Sequence, residues 1–156
     1  MPSAITETRS EIQIHAPPAV VYNTLWDMGR YPAFITDVID SKVMAGPSAN
    51  HLQVRQHIRI IRAVELGFEV EGDPPQFVQW RLSDGADYLA RHEGSWTVEP
   101  SLDSRSSSVV YRVRFAFVEP VPDAVIRRLV DFSVPTMLRQ IKARAEFMAR
   151  RLDAMF

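Results

Sequence analysis

The change from strand to helix that decides the fold lies within residues 109–130, which read VVYRVRFAFVEPVPDAVIRRLV. The first half alternates apolar and polar side chains, and this period of two predicts a strand with one buried and one solvated side. The apolar residues on the buried side are Val109, Tyr111, Val113, Phe115 and Phe117. The second half begins a helix at Pro122–Asp123, where an acidic side chain is favourable at the positive end of the helix dipole.

A long closing helix is predicted from about Asp123 to Leu152. Its apolar positions recur at spacings of three, four or seven, which places them on one helix face. They are Ile126, Leu129, Ser133, Met137, Ile141, Met148 and Leu152. Pro135 lies inside the helix, where it removes one N–H donor and leaves the carbonyl of Asp131 without its usual partner. We therefore expect a kink near Pro135.

The region from Val38 to Phe117 is predicted to consist of successive strands. In residues 52–60 the apolar side chains and Gln56 share one parity, while His51, His57 and their arginine neighbours occupy the other. Turn signals at Gly72–Pro75 and Asp84–Gly85 separate further strands. Because short turns connect these strands, we expect an antiparallel meander.

The N-terminal part adds a strand and two short helices. Glu11–His15 alternates as a strand does, Ala19–Met28 has helical spacing, and Tyr31–Ile35 suggests a second helix. A single closing helix covers a sheet this wide most economically if the sheet curls around it. The predicted fold is α+β: a curved antiparallel sheet of about seven strands wrapped around a long C-terminal helix. An apolar space between sheet and helix is then the default binding site.

The composition excludes several classes of function. The chain has 156 residues, which predicts one domain over residues 1–156. A net charge of −1 argues against DNA binding, and the absence of cysteine excludes thiolate chemistry and disulfides. No apolar run reaches the roughly 20 residues that span a bilayer, so no stable membrane insertion is expected. The first ten residues lack a secretion signal, and we expect a cytoplasmic protein.

Three segments resemble one known family. Residues 14–22 (IHAPPAVVY) and 26–34 (WDMGRYPAF) look like the opening of the polyketide cyclase/dehydrase and coenzyme Q-binding group of the START-like (SRPBCC) superfamily. Residues 94–100 (GSWTVEP) are similar to its G-x-W-x-x-x-P element, and residues 134–146 resemble its closing helix. The matches extend from about residue 10 to 152. The resemblance implies the helix-grip fold.

The resemblance leaves the function open among three classes. The group includes polyketide aromatase/cyclases, a quinone-binding protein of respiratory chains and a bacterial ribosome-association toxin. The first hypothesis is a cavity that binds a polyketide-like or aromatic molecule and promotes its cyclisation or dehydration. The alternative is a non-catalytic carrier of an isoprenoid quinone or another lipid. A ribosome- or RNA-associated role is the remote alternative, since the shared motifs mark the fold and carry no chemistry.

Three residues are candidates for catalysis. Strand parity places Tyr88, Ala90, His92 and Trp96 on the inward face. An imidazole that titrates near neutrality can remove and return the protons that enolisation, aldol closure and dehydration require, so His92 is the main candidate. Tyr88 and Tyr111 can donate hydrogen bonds to a ketone or enolate oxygen. The alternatives are a core histidine with a satisfied ring, and tyrosines that pack with their hydroxyls at the rim.

Further residues are predicted to line the cavity or its entrance. The predicted lining residues are Gln56, Trp80, Trp96, Phe115, Met137 and Ile141. Aromatic and methionine walls suit planar or flexible apolar ligands, although the same residues are ordinary core in most proteins. Trp26 and Tyr31, at the corner of the two short helices, are predicted to form the mouth. Plain packing at a turn is the alternative for both.

Cofactors and metals are not expected. The four histidines show no metal-ligand spacing, and no glycine-rich phosphate loop is present. The closing helix has an excess of basic residues: Arg127, Arg128, Arg139, Lys142, Arg144, Arg150 and Arg151. This face could meet RNA, an anionic membrane surface or an acidic acyl carrier protein. The alternative is the solvated side of an amphipathic helix.

Overall fold

The computed structural model describes residues 3–155, which form a seven-stranded curved antiparallel sheet and a set of helices. The strands are β1 (Thr6–Ile14), β2 (Val38–Ala45), β3 (His51–Arg59), β4 (Ala63–Asp73), β5 (Phe77–Asp84), β6 (Leu89–Pro100) and β7 (Ser107–Phe117). Their order in the sheet is β1-β7-β6-β5-β4-β3-β2, so the meander from β2 to β7 is closed by β1 on the edge of β7. The α+β fold predicted from the sequence is confirmed.

Strand β1 is longer than the sequence pattern indicates. It begins at Thr6 and pairs along its whole length with β7, from Thr6 opposite Phe115 to Ile14 opposite Ser107. Residues 6–10 contain no large apolar side chain, so the period-two signal is absent there. Backbone pairing with β7 stabilises this segment instead.

The two short helices form a corner after β1. Helix α1 spans Pro18–Trp26, and a 3₁₀ helix spans Met28–Ala33, directly after Asp27. The second helix therefore starts before the predicted Tyr31, and it includes Met28, the last residue of the predicted first helix. Gly72 of β4 allows this corner to approach the sheet, because a Cβ there would meet Tyr22 and the ring of Trp26.

The closing helix changes its winding near Pro135. It consists of α2 (Asp123–Arg128), a π turn (Leu129–Ser133) and α3 (Val134–Met155), 33 residues in all. The N–H of Val134 bonds the carbonyl of Leu129, five residues back, which is the pattern of a π-helix. The interruption predicted at Pro135 thus takes the form of a π turn that ends shortly before the proline.

The buried face of α3 differs from the predicted face towards the C-terminus. The buried residues of α3 are Leu138, Ile141, Ala145 and Ala149, whereas the predicted face continued through Met148 and Leu152. Ile141 belongs to both sets, Met148 is half-buried and Leu152 is exposed. The pattern of large apolar residues did not include the two alanines that α3 buries.

A bulge also changes the parity at the start of β6. The register with β7 shifts between Leu89 and Arg91, so Leu89 is buried and Ala90 is exposed. This reverses the inward placement predicted for Ala90. After the bulge the predicted parity holds, and His92, Gly94 and Trp96 lie on the face that points towards the closing helix.

Candidate ligand-binding cavity

Two adjoining chambers lie between the inner face of the sheet and the closing helix. Each has a volume of about 120 Å³. They share seven lining residues: Ile35, Val38, Ile58, Phe68, His92, Tyr111 and Met137. The chambers are therefore two halves of one cavity, and we call the shared boundary, formed chiefly by His92, Tyr111, Phe68 and Met137, the junction.

The inner chamber lies towards the short helices and is uncharged. Beyond the junction it is lined by Met28, Tyr31, Gln56, Val70, Trp80 and Trp96. No charged side chain among the described residues lines it. A ligand in this chamber is held by shape and by a small number of hydrogen bonds, as in most small-molecule sites.

The outer chamber leads to the surface. It is bounded by Leu129, Ser133 and Val134 of the closing helix and by residues at the facing ends of β2 and β3. Arg59 is exposed and Asp37 is partly exposed, so the chamber opens between the start of β2, the end of β3 and the π turn. The opening thus lies away from the corner of Trp26, where the sequence predicted it.

A hydrogen bond inside the cavity sets the tautomer of His92. The indole Nε1–H of Trp80 donates to Nδ1 of His92 over 3.1 Å. Because an indole nitrogen is only a donor, Nδ1 must be the unprotonated acceptor, and the ring proton of neutral His92 resides on Nε2. Nε2 makes no hydrogen bond to any residue between 3 and 155, and it is not sealed from the cavity. His92 therefore presents a free N–H donor at the junction.

The surroundings of His92 keep the ring neutral. Its imidazole makes an edge contact with Phe68, at 5.5 Å between ring centroids, and stacks at 6.4 Å on Phe115. Burial among these rings lowers the pKa of His92 to about 4. At neutral pH the ring is thus uncharged, because a cation in this apolar site would lose its hydration without gaining an ionic partner.

Gly94 makes room for the ring of Trp80. Trp80 of β5 lies opposite Gly94 of β6, and a Cβ on Gly94 would lie 2.8 Å from Cη2 of that indole. The indole crosses this position to stack on Tyr111 at 5.8 Å, with an interplanar angle of 19°. The glycine of the G-x-W element therefore has a packing role, since no larger residue leaves space for the Trp80 ring.

The two tyrosines near the junction differ in what their hydroxyls do. Tyr31 donates its hydroxyl proton to the carbonyl of Leu25, which ties the 3₁₀ helix to α1. The hydroxyl of Tyr111 makes no hydrogen bond to any described residue and is open to the cavity. Burial raises the pKa of both side chains, so both keep their protons at neutral pH. Tyr111 is therefore a second free donor in the cavity that His92 lines.

Gln56 supplies a further polar side chain to the inner chamber. Its side chain is buried, as strand parity predicts, and its amide N–H₂ donates to the hydroxyl of Ser41 over 3.4 Å. This contact is at the long limit for a hydrogen bond. The amide is thus only weakly held by the protein, and it can turn to meet a polar atom of a ligand.

Eight of the predicted site residues line the cavity, and three do not. His92, Tyr111, Gln56, Trp80, Trp96, Phe115, Met137 and Tyr31 line one or both chambers. Tyr88 precedes the bulge and packs on Phe117, with Arg62 over its ring at 4.7 Å. Ile141 is buried further along α3, and Trp26 stacks on Tyr22 outside both chambers.

Other lining residues escaped the sequence reasoning. Phe68, Leu66 and Val70 of β4 face the cavity, although they were recognised only as apolar members of a strand. Leu129 and Ser133 line the outer chamber and belong to the helix face that periodicity predicts, although they were not named as lining residues, whereas Val134 lies outside that face. Strand parity could have identified the residues of β4, but no periodic signal marks Val134.

A larger groove of about 650 Å³ lies on the opposite face of the sheet. Arginine and glutamate side chains line it, and several pair with each other, such as Arg114 with Glu7 and Arg81 with Glu69 at 3.7 Å. Exposed pairs of this kind belong to a solvated surface and contribute little to stability or affinity. We therefore place the candidate site in the smaller internal cavity.

The basic residues of the closing helix are largely engaged within the molecule. Lys142 lies 3.0 Å from Glu146 and bonds the carbonyl of Gln13. Arg128, Arg144 and Arg151 lie over the rings of Phe132, Phe34 and Phe147, respectively. These contacts are typical of an amphipathic helix surface. None of the helices between residues 3 and 155 is long and apolar enough to cross a membrane.

The fold is the helix-grip fold, with a cavity between the curved sheet and the closing helix. Residues 14–142 match the family described as "Polyketide cyclase / dehydrase and lipid transport", and the chain belongs to this family. This confirms the family expected from the sequence. The search of curated proteins found no match.

Solved structures share the fold at low sequence identity. The Zhui aromatase/cyclase from Streptomyces sp. R1128 has a TM-score of 0.80 and 16% identity, covering 92% of this chain and 94% of that chain. A START superfamily protein from Mycobacterium smegmatis has a TM-score of 0.79 and 14% identity, covering 91% and 98%. The protein TTHA0849 from Thermus thermophilus has a TM-score of 0.74 and 24% identity, covering 90% and 97%.

Proposed function

We propose that the protein binds a small polyketide-like or aromatic ketone in its internal cavity and promotes its cyclisation and dehydration. The observation that carries this proposal is the junction, where the Nε2–H of His92 and the hydroxyl of Tyr111 are free donors in apolar surroundings. Donors fixed in a dry site stabilise a carbonyl oxygen as it gains negative charge. The family and the aromatase/cyclase fold neighbour support the same class of chemistry.

The chemistry is an intramolecular aldol condensation. An enol carbon of the substrate attacks a carbonyl carbon, and the carbonyl oxygen gains charge while His92 and Tyr111 donate hydrogen bonds to it. The proton of the enol O–H group passes to this oxygen and gives an alcohol. The hydroxyl group then leaves as water together with a neighbouring C–H proton as the double bond forms. We assign His92 the role of a donor and not of a base, because its Nδ1 lone pair is occupied by Trp80. The shape of the cavity contributes the remaining rate acceleration, because it folds the substrate chain into a reactive geometry.

The size of the cavity narrows the substrate class. Two chambers of about 120 Å³ each lie below the roughly 300 Å³ at which pockets for drug-sized ligands begin. A bicyclic molecule with one ring in each chamber and its reacting carbonyl at the junction fits this shape. A long isoprenoid tail does not fit inside, which makes an isoprenoid quinone the weaker candidate.

A defined triketone tests the reaction. In 1-phenylhexane-1,3,5-trione, attack of carbon 6 on carbon 1 followed by loss of water gives 5-phenylbenzene-1,3-diol. We expect the wild-type protein to accelerate formation of this product over buffer, as followed by chromatography. Removal of one oxyanion donor lowers such rates by on the order of a hundredfold. We expect a loss of that size in the His92→Phe variant and a smaller loss in Tyr111→Phe.

Matched variants control for unspecific effects. Tyr88→Phe removes a hydroxyl outside both chambers, and His57→Phe makes the histidine change on the outer side of β3. Both should retain wild-type rates. If Tyr88→Phe loses as much rate as Tyr111→Phe, or if wild-type protein and buffer form product equally fast, the proposed reaction is wrong.

Carriage of a small apolar molecule is the second candidate function. The uncharged lining of the inner chamber favours it, since binding there needs no chemistry. Native mass spectrometry of freshly purified protein, with an organic extract of the same sample, separates the two functions. A stoichiometric apolar lipid and no turnover of the triketone would establish carriage, whereas an empty cavity with turnover would support the cyclase.

Delivery of the substrate is a further part of the proposal. Arg127 and Arg128 directly precede Leu129, which lines the outer chamber, so an acidic acyl carrier protein could dock beside the opening. We place this encounter in the cytoplasm. An Arg127→Glu, Arg128→Glu double variant should weaken turnover of a carrier-bound chain and leave turnover of the free triketone unchanged, and equal effects on both would contradict docking at this site.

A further inference from the structure

The side chains of Trp80 and His92 meet across Gly94, which lies between them. Trp80 of β5 is opposite Gly94, so its indole reaches diagonally across the glycine to the imidazole two residues away on β6. A diagonal neighbour is within reach only of a long or aromatic side chain. The absence of a side chain at Gly94 leaves the path open, and the stacking on Tyr111 fixes the plane of the indole.

We propose that Trp80 is a positioning residue that holds His92 as its Nε2–H tautomer, so that the cavity selects ligands with an acceptor oxygen at the junction. The indole touches no reacting atom in this arrangement. It acts through His92, because an indole N–H can only donate and thereby excludes a proton from Nδ1. The selection of ligands with an acceptor oxygen rests on the proposed function, whereas the assignment of the tautomer does not.

The tautomer decides what the cavity can recognise. With Nδ1 protonated instead, His92 would present a lone pair at Nε2 and would favour ligands that donate a hydrogen bond. With Nε2 protonated, the ring presents a donor, as the hydroxyl of Tyr111 does in the same cavity, and a ketone oxygen at the ring has a partner. His92 is the only imidazole that faces the described part of the cavity. One indole hydrogen bond thus decides whether its Nε2 donates or accepts a hydrogen bond.

Nuclear magnetic resonance of the ligand-free protein tests the tautomer directly. With ¹⁵N-labelled histidine and tryptophan, we expect Nδ1 of His92 to resonate as an unprotonated nitrogen and Nε2 as a protonated one. A scalar coupling across the hydrogen bond should connect Trp80 Nε1 to His92 Nδ1. A proton on Nδ1, or a well-resolved spectrum without the coupling, would overturn the proposal, and this measurement needs no variant to fold.

The Trp80→Phe variant removes the donor and keeps an aromatic ring. We expect the tautomer preference of His92 to fall by about tenfold, the population ratio that one ordinary hydrogen bond sustains. Trp96→Phe is the matched control, because Trp96 lines the same chamber, packs on Tyr111 at 4.5 Å and donates no bond to His92. An unchanged tautomer ratio in Trp80→Phe, or an equal change in both variants, would assign Trp80 a packing role only.

A pair of ligands of nearly equal shape tests the selectivity. 1-Tetralone differs from tetralin by one carbonyl oxygen, and both are bicyclic. We expect the wild-type protein to bind the ketone about tenfold more tightly, the preference that one hydrogen bond supplies. Trp96→Phe should keep this preference and Trp80→Phe should lose most of it. If neither compound binds, the ligand class of the proposed function fails while the tautomer result stands. If wild type binds both equally, the selectivity part of the proposal is wrong.

Discussion

The two ends of the closing helix meet the same sheet in opposite ways. Towards the C-terminus, α3 buries Ala145 and Ala149, and Glu146 accepts a hydrogen bond from the N–H of His15 over 2.8 Å. Towards the N-terminus, α2 and the π turn contain no buried residue, and the cavity lies beneath them. We call these the packed end and the cavity end.

Small side chains and helix winding explain the difference. Alanines at the packed end let the helix approach α1 and β1 closely, and a separate cleft of about 120 Å³ between α1 and α3 is lined by Met148 and Leu152. At the cavity end, Met137 and Val134 stand over the large rings of β6 and β7, and the π turn changes the direction of the side chains before Pro135. The cavity therefore lies where the helix is held away from the sheet, and the buried residues of the helix lie in α3.

The largest expected effect is an acid response that originates at the cavity end. The pKa of His92 is about 4 in the folded protein and about 6.5 when unfolded, so the unfolded chain binds the extra proton first. This contribution to stability is complete above pH 6.5 and is lost as the pH falls to 4, by about 3 kcal/mol. Urea unfolding of wild type and His92→Phe at pH 7, 5 and 4 measures it.

The His92→Phe variant should lack this slope, while His57→Phe on the outer face should retain it. A wild-type slope in His92→Phe would show that the acid response arises elsewhere and that the imidazole is not held neutral by burial.

Added volume should have opposite consequences at the two ends. Ala145→Leu overpacks the packed end and should reduce the free energy of unfolding by about 2 kcal/mol. Val134→Leu adds a methylene group at the wall of the outer chamber, where space exists, and should cost about 0.5 kcal/mol or less. The same variant should weaken binding of 1-tetralone. Equal losses of stability at both positions would remove the distinction between the ends.

The hydrogen bonds of Glu146 should make the stability of the packed end depend on pH, in a more acidic range than the response of His92. Burial raises the pKa of Glu146, but the N–H of His15 and the Lys142 ammonium outweigh this and lower it overall. The carboxylate thus contributes stability that is present above the usual glutamate pKa and lost as the pH falls below it. Glu146→Gln should cost about 1 kcal/mol at pH 7 and almost nothing at pH 3, as urea unfolding will show. A loss that is independent of pH would contradict this origin.

The smallest effect is expected at the exposed surface of the cavity end. Phe132 lies in the π turn, is 54% exposed and contacts the guanidinium of Arg128. Phe132→Ser should change the free energy of unfolding by about 0.5 kcal/mol or less, because no core contact is lost. A loss above about 1 kcal/mol in the same urea titration would mean that the cavity end is packed more firmly than described.

The sequence was informative where local periodicity persists. Alternation in β3, β5 and β7 placed Gln56, Trp80 and Tyr111 on the inner face, where the structure has them. Parity failed at Ala90, because a bulge inserts a residue without leaving a periodic trace. The predicted helix face differs towards the C-terminus because the residues buried there, Ala145 and Ala149, are small and were not counted among the apolar positions.

The chemistry of the junction was beyond the reach of sequence patterns. The bond between Trp80 and His92 depends on strand register and on an open path over Gly94, so it joins residues that are 12 positions apart. Because sequence patterns do not show this bond, His92 was predicted to remove and return protons. The bond instead favours a role for His92 as a hydrogen-bond donor through Nε2–H. The position of the opening likewise depends on where the π turn stands relative to β2 and β3.

The most direct test of the account is a titration of methyl-labelled protein with 1-tetralone, followed by nuclear magnetic resonance. We predict saturable shifts of the Met137 and Val134 methyl signals at the cavity end, and no shift of the Ala145 and Ala149 methyl signals at the packed end. Two results would contradict a binding site between the sheet and the first half of the closing helix. One is a set of shifts confined to the packed end. The other is a shift of Thr8, in the groove on the opposite face of the sheet, with Met137 unchanged.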